Sequence, residues 1–188
     1  IAYILTIEKA NLLLKILKSI LNIYIYIFLS VPALVLIVFV YYGSFGFNFN
    51  SITSSIIALS LNLSPFAARI IESSIKNMEP EYIKTAYSFG YSDSEILRKI
   101  KLPIIFTNSF EPILVQWITT IKLSSLASVI GVSEILFQGN AIIAETYRTE
   151  TTYVAVILSY ALIILLFTKL TKVLSIKFFK KKIKIWRI

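Results

Sequence analysis

Glu111 beside Pro112, Gln116, Lys122 and the hydroxyls of Ser124, Ser125 and Ser128 are the residues whose types and spacing could act on a small polar solute, because they interrupt the otherwise apolar stretch 104–132. An ionisable group at membrane depth costs ~2.5–3.5 kcal/mol on insertion scales, which makes it a functional-site hypothesis by default. Glu111 could receive the amino group of a bound solute, or it could pair with Lys122 in a purely structural role. A helix broken at Pro112 would expose backbone dipoles able to hold a carboxylate. The amide and hydroxyls could equally serve only hydrogen bonds between helices. Covalent chemistry finds no support. The chain has no His and no Cys, so thiolates, disulfides and the usual zinc or haem ligands are excluded, and no nucleophile and base pair can be assembled. No metal or cofactor is expected. The glycines, Gly43, Gly46, Gly90, Gly131 and Gly139, cannot be written as a G-x4-G-K-[ST] phosphate loop, so any ATP chemistry must come from another chain.

The elements that would position these residues are membrane spans. A 57% hydrophobic share and a mean hydropathy of +0.79 exceed the ~45–50% apolar share of soluble domains. The fold class expected is an all-α, polytopic integral membrane protein forming one domain over 1–188. At ~20 apolar residues per spanning helix, the spans fall at 20–42, 51–71, 104–132 and 152–175. The first carries no charge and ends in a tyrosine pair suited to an interface. The second is polar enough to suit a helix packed inside a bundle. The third is expected to be broken, one span followed by a bent or re-entrant piece. Ile1 to Ile7 read as the tail of a preceding span, and with Met78 as the only methionine the chain is expected to lack upstream sequence.

Between the second and third spans, 79–103 reads as a helix, a tight turn and a helix. Ile83, Ala86 and Tyr87 recur at helical spacing, and Gly90 supplies a positive φ that ends the first helix cheaply. Ser92 and Glu95 form an S-x-x-E capping box, Ile96, Leu97 and Ile100 give the second helix its apolar face, and Pro103 is expected to stop or kink it. Lysines and arginines crowd this segment and the C-terminal tail, while the loop at 43–50 carries none, so the positive-inside rule puts both in the cytoplasm. The net charge of +9 is therefore mostly topological, although the tail could also hold anionic headgroups. A DNA-reading motif starts similarly but needs a soluble three-helix core, whereas spans bracket this one within a few residues; no nucleic-acid partner is expected. An amphipathic loop lying on the bilayer through Tyr82, Tyr87 and Tyr91 is the plainer alternative.

From about residue 20 to residue 172 the chain resembles the permeases of the polar amino-acid uptake family of ABC importers. FLSVPALVLIVFVYYG is similar to the family's R-G-T-P segment and its apolar run, SPFAARIIESSIKNM to A-Y-x-A-E-x-x-R-G, and ILVQWITTIKLSSLASVIGVSEIL to N-Q-W followed by K-D-T-S-L-x-x-V-I-G-V-x-E-L. Gly90, Ile100, Leu102 and Pro103 match the spacing of its EAA loop. The resemblance implies a permease subunit in the cytoplasmic membrane that moves a polar amino acid or similar zwitterion. Its implied partners are the lipid bilayer, a second permease copy or homologue, two cytoplasmic ATPase subunits and an extracytoplasmic solute-binding protein. It also implies that Tyr82, Ile83, Lys84, Ala86, Tyr87, Gly90, Ser92, Glu95, Ile100, Leu102 and Pro103 form the ATPase-coupling surface. The chain departs from the pattern where Lys84 stands for the EAA acid, Leu123 for the aspartate of K-D-T-S, and Arg69 and Glu72 for a Glu and Arg in reversed order. An exposed i,i+3 pair at Arg69 and Glu72 would contribute ~0.2–0.5 kcal/mol; a Glu72–Lys84 contact would explain both inversions, and two unrelated solvated charges are the plainer reading. A membrane scaffold or decayed permease is the alternative that these departures keep open.

Overall fold

The computed structural model describes residues 12–43 and 48–183. The expected tail of a preceding span at 1–7 lies outside them, as do 44–47 of the uncharged loop and 184–188 of the basic tail. The described residues are helical, with no strand among them. Among the described residues, four helices are long and apolar enough to cross a membrane: Leu12–Ser30, Ser51–Lys76, Asp93–Ile130 and Thr149–Val173.

The first helix differs from the expected 20–42. Helix α1 runs over Leu12–Ser30 and a separate α2 over Ala33–Tyr42. Pro32 (φ −59, ψ 137) is extended, because proline bars its predecessor Val31 from the helical region and offers no N–H of its own. At ~15 Å, α2 is too short to cross alone. Helix α3, Ser51–Lys76, starts where Asn50 Oδ1 accepts the Thr53 N–H at 2.8 Å, and it continues through Pro65 and five residues past the expected end. Helix α4 (Pro80–Ser88) and helix α5 (Asp93–Ile96) follow.

A π turn at Leu97–Lys101 leads directly into α6, Leu102–Leu123. Pro103 therefore does not stop the helix. The Leu102 N–H bonds back five residues to the Leu97 carbonyl, which widens the wall just where the proline ring would otherwise meet the carbonyl four residues before it. Nor does Pro112 break α6, although it removes one ladder bond. The change comes at Ser124–Ile130, where the helix tightens to a 3₁₀ form and ends at Gly131 (φ +78). Helix α7, Ile135–Thr146, and helix α8, Thr149–Ile183, complete the chain.

The chain divides into two compact units, residues 1–30 with 63–116, and 31–62 with 117–188. In the first, Tyr24 and Ser64 share a 2.5 Å hydrogen bond and Ser109 Oγ donates to Ser74 Oγ at 2.8 Å with both serines buried, so polar side chains tie α1 and α6 to α3. In the second, α2 packs on the 3₁₀ segment and α7 on α8. The α7–α8 approach depends on Gly139, where a methyl group would fall 2.6 Å from Val156 Cγ2. The apolar residues of α8, among them Ile157, Leu158, Leu162, Leu165 and Leu166, remain exposed, as lipid-facing residues would.

Candidate functional site

The helix–turn–helix at 80–101 is built by local rules. Pro80 opens α4 at its first turn, where its missing N–H has no ladder partner to lose. Gly90 (φ +77) closes it in a Schellman motif, the Gly90 N–H bonding to the Tyr87 carbonyl at 2.9 Å and the Tyr91 N–H to the Ala86 carbonyl at 3.1 Å. In the capping box Glu95 Oε2 accepts from the Ser92 N–H (3.1 Å) and from Ser92 Oγ (3.0 Å), while its Oε1 accepts from Lys99 Nζ at 2.8 Å. These donors, Lys99 first and then Ser92, hold the Glu95 carboxyl down to about 2. Glu95 lies in the charged head of its helix, ahead of the apolar stretch that can enter a bilayer.

Burial sorts the predicted coupling residues. Ala86 and Ile96 are buried, Ile83, Leu97 and Ile100 half-buried, and Tyr82, Lys84, Tyr87, Ser92 and Leu102 exposed. Tyr87 thus does not share the buried face of α4 as its spacing predicts. Its hydroxyl instead donates across the turn to Asp93 Oδ1 at 2.5 Å, a bond that also raises the Tyr87 pKa. Tyr87, Asp93, Ser94, Ile96, Leu97 and Lys101 line an open cleft of about 370 Å³. Tyr82, Phe89 and Tyr91 are exposed as well, and Lys99 lies 5.1 Å from the Tyr91 ring. The segment presents aromatic surface on a scaffold fixed by short-range bonds.

The reversed charge pair forms, but not as an exposed one. Arg69 Nη1 and Lys76 Nζ each approach a different oxygen of Glu72 at 2.8 Å, and Glu72 is 6% exposed. The Arg69 guanidinium also sits 5.5 Å from the centre of the Tyr26 ring. Both Glu72 oxygens are therefore occupied from its own helix, and a Glu72–Lys84 contact is not among the described ion pairs, as two unrelated charges would have it.

In the stretch read as a solute path, the helix does not break at Pro112. Glu111 is exposed on an unbroken α6 and does not pair with Lys122, which stands eleven residues, ~16 Å of helical rise, further along. Gln116 is half-buried and Lys122 exposed. Ser124, Ser125 and Ser128 donate to the carbonyls of Ile121, Lys122 and Ser125 at 2.7–2.8 Å, so their protons serve the tightened turn. A third carboxylate that gathers partners is Glu134, which stands in the run V-I-G-V-S-E-I-L. Its oxygens accept the N–H groups of Leu136 (2.9 Å) and Phe137 (2.6 Å) and the Tyr160 hydroxyl (2.6 Å), capping α7 and fastening it to α8. A Glu just before an apolar helix was the available signal.

A profile of the family described as binding-protein-dependent transport system inner membrane component matches residues 2–180. The chain is 30% identical over 113 residues to the glutamine transport system permease protein GlnP of Escherichia coli, an alignment covering 60% of this chain and 52% of that protein. It is 27% identical over 114 residues to the L-cystine transport system permease protein TcyL of Bacillus subtilis, covering 61% and 48%. The chain spans about half the length of the curated relatives it matches. Its fold is similar to a chain of an amino acid ABC transporter crystallised with histidines, with a TM-score of 0.79, 26% identity, and 93% and 82% of the two chains covered. It is also similar to an inward-facing MetNI methionine ABC transporter, with a TM-score of 0.71, 18% identity, and 92% and 80% covered, a likeness of fold alone.

Proposed function

Because this chain belongs to the family of binding-protein-dependent transport system inner membrane components, we propose that it is the permease subunit of an ATP-driven importer, moving a polar amino acid or similar small zwitterion across the cytoplasmic membrane. The residues at 80–101 dock on a separate cytoplasmic ATPase. A second permease copy or homologue completes the pathway, and an extracytoplasmic solute-binding protein delivers the solute. The permease performs no covalent chemistry. The observation that carries this reading is the coupling segment itself: a turn fixed by the Gly90 Schellman motif, the Ser92–Glu95 box and the Tyr87–Asp93 bond, with Tyr82, Tyr87, Phe89 and Tyr91 left exposed. Exposed aromatics on a rigid support are what a protein partner can bind at low entropic cost. The substrate class rests on the relatives, whose names specify glutamine, L-cystine and amino acids.

The test uses the absence of cysteine from the sequence. A Tyr87→Cys variant in membranes should crosslink to the co-expressed ATPase in an ATP-dependent manner. Labelling of that cysteine by a lipid-phase probe, with no ATPase crosslink, would sink the coupling role and favour a segment lying on the bilayer.

A further inference from the structure

We propose that the turn between α7 and α8, with Tyr147 at its tip and Arg148 beside it, is the contact through which this permease recognises its extracytoplasmic solute-binding protein. The proposal rests on the reading above, which places the coupling segment in the cytoplasm. The helix Thr149–Val173 is long and apolar enough to cross the membrane, so with Lys169 and Lys172 at its cytoplasmic end the turn at its start lies on the other side. A family whose transport depends on a binding protein must offer that protein a surface there, and the structure distinguishes one place on it.

Among the described residues, Tyr147 (φ 58) is the non-glycine residue at positive φ. A bulky side chain in the left-handed region is a true outlier and costs free energy. No local bond explains the choice of tyrosine: the Tyr147 N–H closes onto the Ile143 carbonyl at 2.8 Å, which a glycine would do without strain. The residue is 87% exposed. Strain kept at an exposed aromatic is the pattern of a position held for binding.

The tip is also held still. Thr152 Oγ1 donates to the Arg148 carbonyl at 2.6 Å, Tyr153 donates to Asn140 Oδ1 across the hairpin at 3.3 Å, and Gly139 lets α7 and α8 touch. A tyrosine next to an arginine is the composition of an interface hot spot, and a backbone already tied at the turn reduces the cost of association. An interfacial tyrosine could instead rest among lipid headgroups. Exposed Glu145, Arg148 and Glu150 are its neighbours along the chain, however, and two carboxylates within three residues of it favour water and protein over lipid. The partner surface should therefore offer an acid to Arg148 and basic groups to Glu145 and Glu150.

The experiment reconstitutes the complete transporter in nanodiscs and follows ATP hydrolysis against the concentration of the solute-binding protein that stimulates the wild type. Tyr147→Ala and Tyr147→Gly should each raise the half-activating concentration at least tenfold with basal hydrolysis unchanged, and Arg148→Ala should raise it severalfold. The glycine variant is decisive because it relieves the backbone strain: a tyrosine of merely structural value would leave the half-activating concentration unchanged or lower it. Wild-type concentration dependence in both Tyr147 variants overturns the inference alone. A wild type that no binding protein stimulates overturns the transport reading and the inference together.

Discussion

Replacing Gly90 by alanine isolates one term in the coupling segment. At φ +77 the residue lies where an L side chain is disfavoured, and a methyl group there would meet no atom within 4 Å. The substitution therefore carries a backbone cost of about 1–2 kcal/mol and no steric one. If that cost falls on the turn, the ratio of open to closed Schellman bonds rises by a factor of about 5–30. The bonds concerned run from the Gly90 and Tyr91 N–H groups to the Tyr87 and Ala86 carbonyls. Hydrogen exchange of a peptide covering 86–91, measured in nanodiscs, should accelerate by that factor in Gly90→Ala and by less in Gly90→Asn, because asparagine tolerates the left-handed region. Transport should fall in the same order. Exchange at the wild-type rate in Gly90→Ala, or equal exchange in the two variants, would refute the claim that the left-handed backbone of Gly90 fixes the turn.

Other sites give predictions of different kinds. Gly139→Ala should lower stability by about 1–3 kcal/mol through overpacking, because its methyl would fall 2.6 Å from a β-branched valine; thermal unfolding in detergent should show partial recovery when Val156→Ala is added. Glu95, held down to about 2, has a folded pKa below its ordinary value of 4.5. Its contribution to the capping box is thus complete above about pH 4.5 and lost as pH falls toward 2. The protection of the amides at 92–95, corrected for the intrinsic pH dependence of exchange, should fall over that window in the wild type and remain flat in Glu95→Gln.

Short-range rules account for what the sequence made legible. A glycine before an S-x-x-E box specifies both ends of a turn without distant contacts, and Gly90, Ser92 and Glu95 behave accordingly. Arg69 and Glu72 meet because three residues on a helix bring side chains together, but the burial of Glu72 comes from neighbours that spacing does not reveal. The prolines were harder to read. Pro32 interrupts a run whose hydropathy never dips, Pro103 is accommodated by a π turn, and Pro112 sits inside a continuous helix. One residue type yields three outcomes because each depends on whether the backbone can find another hydrogen-bond partner. Glu134 and Tyr147 were missed for a related reason. The partners of Glu134 include a tyrosine 26 residues away, and the left-handed backbone of Tyr147 runs against every local preference of its side chain.

The π turn at Leu97–Lys101 also governs how force would pass through the molecule. Since Pro103 does not sever the chain of helices, Asp93 to Leu123 forms a single bar about 46 Å long at 1.5 Å per residue, its charged head continuous with its membrane-crossing shaft. Helix α4 is jointed to that bar through the left-handed glycine and braced against it by the Tyr87–Asp93 bond. Motion imposed on α4 would then reach the head of that bar through the glycine joint and the Tyr87–Asp93 bond, with the brace setting how much is lost at the joint.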